Sequence, residues 1–176
     1  MSSNSKIISK GFALAETLVR DAIIKKMMEA GLELVLHAHE NREWQSFTGN
    51  TITSYGYGIY ENGRLVYRYI SGQDMKDPVR MKIMKGEIYF LEKPYEGGKR
   101  RVRGVSNITV KYGEDFTKAF LEDYTPEEKK GFTLVVATGT EYSEYLEGIR
   151  ELNTLTETYE SARRGFVNGI FEKPVL

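Results

Sequence analysis

His37 and His39 are the only two histidines in the chain, and they sit two apart in a helical stretch. At about 100° per residue their side chains leave the helix roughly 200° apart, so they cannot share a metal as an i, i+4 pair can. His37-Ala38-His39-Glu40-Asn41 also lacks the zincin order, in which Glu follows the first His. Glu141, Glu144 and Glu147 are spaced for one helical face. Such a cluster can bind a cation or work as acid and base, but no histidine-supported second cluster accompanies it, and a solvated face is the simpler reading. Tyr57-Gly58-Ile59-Tyr60-Glu61-Asn62-Gly63 contains glycines without the lysine or spacing of a phosphate loop. The expectation is therefore no catalysis, no metal and no cofactor. Lys99, Arg100, Arg101 and Arg103 form a basic cluster diluted by Glu87, Glu92 and Glu96. It is either a solvated loop tip or a non-sequence-specific contact to DNA phosphates.

Composition narrows the classes further. The 176 residues carry 25 basic and 25 acidic side chains, without the basic excess of a dedicated nucleic-acid binder. With no cysteine, disulfides, thiolate zinc sites and a cysteine nucleophile are excluded. No apolar run approaches the roughly 20 residues that span a bilayer, and the polar N-terminus does not read as a signal peptide. The chain is rich in aromatics, with 12 Tyr and 8 Phe. Tyrosine suits both sheet faces and subunit interfaces. Trp44, Tyr55, Tyr57, Tyr60, Tyr142 and Tyr145 are the candidate interface residues.

The elements that must position these residues follow from periodicity. Leu14, Leu18, Ala22, Met27, Ala30, Leu34 and Ala38 recur at helical steps and predict one long helix over 12–46, with a bend possible at Gly31. At about 1.5 Å per residue that helix exceeds the diameter of a small domain, so part of it projects and packs on another subunit. Residues 54–60 and 65–70 alternate as strands around Asn62-Gly63, the preferred type I′ turn pair. Further strands are expected at 88–91 and 105–112, with an exposed loop over 93–103 between them. A short helix at 116–124 presents Phe116, Ala119 and Phe120, and Thr125-Pro126-Glu127-Glu128 reads as another helix start. Phe132–Thr138 is the most apolar strand and is expected at the centre of the sheet. Residues 141–147 read as one or two helical turns. A terminal helix then buries Tyr159, Ala162, Phe166, Val167 and Ile170. The order is α+β: a long N-terminal helix, a curved and mostly antiparallel sheet, and a C-terminal helix packed on it. One domain over 1–176 is expected, with 71–129 as an elaborated middle.

Three segments in this order resemble the tail-completion or minor tail (neck) protein family of tailed bacteriophages. They are the long helix entering Thr48-Gly49-Asn50-Thr51-Ile52-Thr53-Ser54 and the strand after it; the strand Phe132–Thr138 followed by Gly139-Thr140-Glu141-Tyr142-Ser143-Glu144-Tyr145-Leu146-Glu147-Gly148; and Asn153-Thr154-Leu155-Thr156 leading into the last helix. The likeness covers residues 12–70 and 130–172 and leaves out 71–129, which is longer than the family's usual connection. It implies a structural virion protein at the head–tail junction. Such a protein would be made in the bacterial cytoplasm and assembled as a ring of six or twelve copies. The ring would seal the portal channel and dock the tail, contacting portal or adaptor proteins and tail proteins, with no membrane. A cytosolic protein-binding or regulatory module is the alternative that composition leaves open.

Overall fold

The protein is described here as a computed structural model, covering residues 3–42, 50–74, 82–83, 85–92, 99–103, 108–109, 113–139 and 155–167. Its first half comprises α1 (Ser3–Glu40), α2 (Asn50–Thr53), β1 (Tyr55–Glu61) and β2 (Arg64–Ile70), then a 3-10 turn (Ser71–Asp74). The short strands β3 (Lys82–Ile83), β4 (Ile88–Glu92), β5 (Lys99–Arg103) and β6 (Ile108–Thr109) follow. The chain continues through α3 (Gly113–Asp123), β7 (Phe132–Thr138) and α4 (Thr156–Val167). The class is the α+β arrangement expected.

The β1–β2 hairpin forms where the Asn62-Gly63 pair places it. Both residues adopt positive φ, 51° and 79°, as a type I′ turn requires. Asn62 N donates to Gly131 O at 2.8 Å, and Gly131 N donates to Asn62 Oδ1 at 3.0 Å. The hairpin tip is thereby stitched to the start of β7. The main sheet runs β2-β1-β7, all antiparallel. Centrality thus falls to β1, and the apolar β7 is an edge strand among the described residues, contrary to the expectation from its composition. The reason lies in the alternation of β1. Tyr55, Tyr57 and Ile59 face α1, where they form the core with Met27, Val35 and Ala38. Gly56 and Tyr60 face α3: a Cβ on Gly56 would lie 2.6 Å from Tyr69 O and 3.2 Å from Thr117 Cγ2, so glycine lets the helix settle close. A strand covered on both sides needs both faces fitted, whereas β7 is only half-buried along most of its length.

Other elements move from where periodicity puts them. α1 runs straight through Gly31, which lies under the Tyr57 ring, and it ends at Glu40 rather than near residue 46. Residues 99–103 are a strand, not a loop, pairing with 88–92 in the register Ile88↔Arg103 to Glu92↔Lys99. α3 buries Gly113, Thr117 and Leu121, while Ala119 and Phe120 are exposed. Residues 125–128 form no helix although Pro126 is buried. The run before Gly131 is too short to offset the cost of nucleating one. α4 turns Thr158 inward and leaves Tyr159 exposed. Of the strand expected at 105–112, residues 108–109 are described, paired with β3.

Candidate functional site

Three features of the described residues have the build of functional or assembly parts. The first is a buried polar knot at α2. Asn50 Oδ1 accepts from Gly113 N at 2.8 Å, Ser71 Oγ donates to Ile52 O at 2.9 Å, and Ser54 Oγ meets Thr138 Oγ1 at 2.8 Å. Thr117 Oγ1 donates to Ser54 O. Asn50, Thr51, Thr53 and Ser54 are all buried. Each polar group within this turn is spent on another backbone or side chain, so the segment ties α2, α3, β1 and β7 together rather than presenting chemistry.

The second feature is an apolar cavity of about 540 Å³ between α1, β7 and α4. Leu34, Leu134, Val136, Leu155 and Ala162 line it, with Arg163 as its one charged side chain. It gathers neither histidine nor any carboxylate. The two histidines diverge as their spacing dictates. His37 Nδ1 lies 3.2 Å from Thr158 Oγ1 of α4, while His39 stands edge-on to Tyr55 with ring centroids 5.0 Å apart. Burial away from water lowers the His39 pKa to about 4, so its imidazole is neutral near pH 7. Among the described residues no three His, Asp or Glu side chains converge as metal ligands.

The third feature is the N-terminal half of α1. Every residue from Asn4 to Val19 is exposed, including Ile7, Ile8, Phe12, Leu14, Leu18 and Val19, which are 59–73% accessible. The long apolar stripe therefore does not stay on one face. Leu18 and Ala38 are twenty residues apart, which leaves them on nearly opposite sides of a helix turning about 100° per residue. The body begins at Arg20, whose Nε and Nη2 donate to the Glu61 carboxylate at 2.8 Å each, beside the hairpin tip. This two-pronged pair is the geometry in which guanidinium and carboxylate match best.

The sequence-derived candidates divide accordingly. Tyr55, Tyr57 and Tyr60 are 0–2% exposed and belong to the core of the single chain, which corrects their assignment to an interface. Tyr57 OH donates to Met28 O at 3.0 Å and Tyr60 OH to Leu121 O at 2.5 Å. Burial raises the pKa of both phenols, that of Tyr60 to about 12. Arg101 and Arg103 are exposed and, two apart on β5, share a face; Lys99 and Arg100 lie in the same strand. Trp44, Tyr142, Tyr145 and the Glu141–Glu147 cluster lie outside the described residues. Ile7 and Ile8 precede the helix start that periodicity gives at residue 12, and a stripe drawn through Leu14 and Leu18 towards Ala38 passes over Phe12 and Val19; an amphipathic plot of residues 6–22 alone gathers all six.

No protein-family model, curated protein or solved structure matches the chain. No helix among the described residues is long and apolar enough to cross a membrane.

Proposed function

We propose that this chain is a structural subunit of a phage head–tail junction, assembling as a ring that seals the portal channel and gives the tail a surface to dock on. The supporting observation is the projecting half of α1. Six large apolar side chains stand in water on one helix segment of the isolated subunit. Monomers rarely leave so contiguous an apolar surface uncovered unless another protein covers it. The ordered segment likeness to neck proteins points the same way. The exposed Arg101 and Arg103 supply a non-specific contact for packaged DNA.

Mass spectrometry of purified phage particles, with class averages of the neck, tests this reading. Six or twelve copies per virion are expected, the numbers that the resemblance to neck proteins implies for a closed ring. Abundance in infected cells with absence from virions overturns it. The apolar cavity favours a second reading, a cytosolic protein-binding module that takes an apolar side chain of a partner between Leu34 and Ala162. That reading predicts a stable one-to-one complex and no virion copies.

A further inference from the structure

The exposed half of α1 carries two apolar stripes separated by a seam of small residues. At about 100° per residue, Ile7, Leu14 and Leu18 centre on one direction, and Ile8, Phe12 and Val19 on another roughly 120° away. Gly11, Ala15 and Ala22 lie between them. The polar side holds Lys6, Ser9, Lys10, Glu16, Thr17, Arg20 and Asp21.

From this arrangement, and resting on the ring reading above, we infer that the projecting helices of six copies associate in parallel as a closed bundle. In it the Ile7/Leu14/Leu18 stripe of each helix packs on the Ile8/Phe12/Val19 stripe of its neighbour. A two-stranded coil needs only one narrow apolar seam, whereas two stripes give each helix two neighbours. The contact is heterologous, since unlike surfaces meet, and heterologous contacts form a ring when the rotation between neighbours closes and an open filament when it does not. In a regular ring of six, each member sees its two neighbours about 120° apart, the separation of the stripes; a ring of twelve needs about 150°. The six apolar residues expose on the order of 700 Å² per subunit, about 350 Å² from each stripe, so a single contact is smaller than the roughly 800 Å² one partner gives to a stable interface, and it is the closed ring, in which both stripes of every helix are covered, that buries the whole of it. The small seam then faces the axis. At the usual helix spacing of about 10 Å, six helices leave a bore only about 10 Å wide. That is narrower than a DNA duplex, so the bundle acts as a stopper that must part before DNA passes.

A lipid surface is the other occupant an amphipathic helix can take. The polar side here mixes three basic with two acidic residues, not the basic excess that holds such helices to anionic membranes.

The test uses full-length protein and two double variants, Leu14→Asp/Leu18→Asp and Phe12→Asp/Val19→Asp. All four side chains are exposed, so circular dichroism and melting should match the parent. By mass photometry and sedimentation the parent is expected to reach a hexamer with rising concentration. Each variant alone should remain monomeric, and an equimolar mixture should give one-to-one dimers, because each retains the stripe that the other's intact stripe fits. Homodimers of either variant, or a parent that stays monomeric at every concentration, overturn the two-stripe contact. So does binding to vesicles of phosphatidylglycerol and phosphatidylcholine without self-association. A heterodimer obtained while virions lack the chain would retain the contact and remove the neck assignment, so the two failures are distinguishable.

Discussion

His39 is the residue whose burial has the clearest consequence in solution. Its folded pKa of about 4 lies below the unfolded value near 6.5. The unfolded chain therefore binds a proton first as pH falls, and stability drops from about pH 6.5 down to about pH 4, below which this contribution is flat. The expected loss between pH 7 and pH 5 is about 2 kcal/mol. Urea midpoints at those two pH values, compared with His39→Gln, measure it; a parent and variant with equal pH slopes would show that His39 titrates normally. Gly31 and Gly11 form a second contrast. A Cβ at Gly31 would lie 2.6 Å from the Tyr57 ring, whereas at Gly11 nothing lies within 4 Å. Gly31→Ala should destabilise by about 1–3 kcal/mol despite its gain in helix propensity. Gly11→Ala should only raise helicity, seen as slower amide exchange along residues 4–19.

Among the elements, the hairpin was legible because a two-residue turn leaves its mark in two adjacent side chains, and Asn62-Gly63 carried it. The centre of the sheet was not. Apolarity singles out β7, yet β1 is central, with Gly56 admitting α3 on one face, and a glycine announces nothing about what approaches it. The same reasoning accounts for α3, where the buried positions are Gly113, Thr117 and Leu121 and hydrogen bonding, rather than hydrophobicity, selects the face. Thr117→Val should therefore cost about 1–3 kcal/mol, since it strands the buried Ser54 carbonyl, although the side chain becomes more apolar. Urea denaturation that shows no change would mean that the knot around α2 re-forms with other partners. Of the candidate site, length alone predicts a helix that projects, whereas residue type alone points the tyrosines of β1 to an interface although they fill the core. Their type suits both settings, and only the pairing of β1 between two strands decides.

For the molecule as a whole, the proposed assembly divides its work with folding along the chain. The core is built from residues after Arg20, and the exposed N-terminal half of α1 adds little to it. Deleting residues 1–18 is expected to leave the urea midpoint of the body unchanged while abolishing self-association. A body that unfolds without these residues would show that they stabilise it directly. The Arg20–Glu61 pair stands at the border between the two functions. Sixteen residues beyond it make an arm about 24 Å long at 1.5 Å per residue. A tilt of about 10° about that fulcrum carries the tip about 4 Å sideways, nearly half the spacing of packed helices. One guanidinium on one carboxylate thus steadies the root of a long lever, and an error too small to disturb the fold is large enough to throw the six arms of the proposed bundle out of alignment.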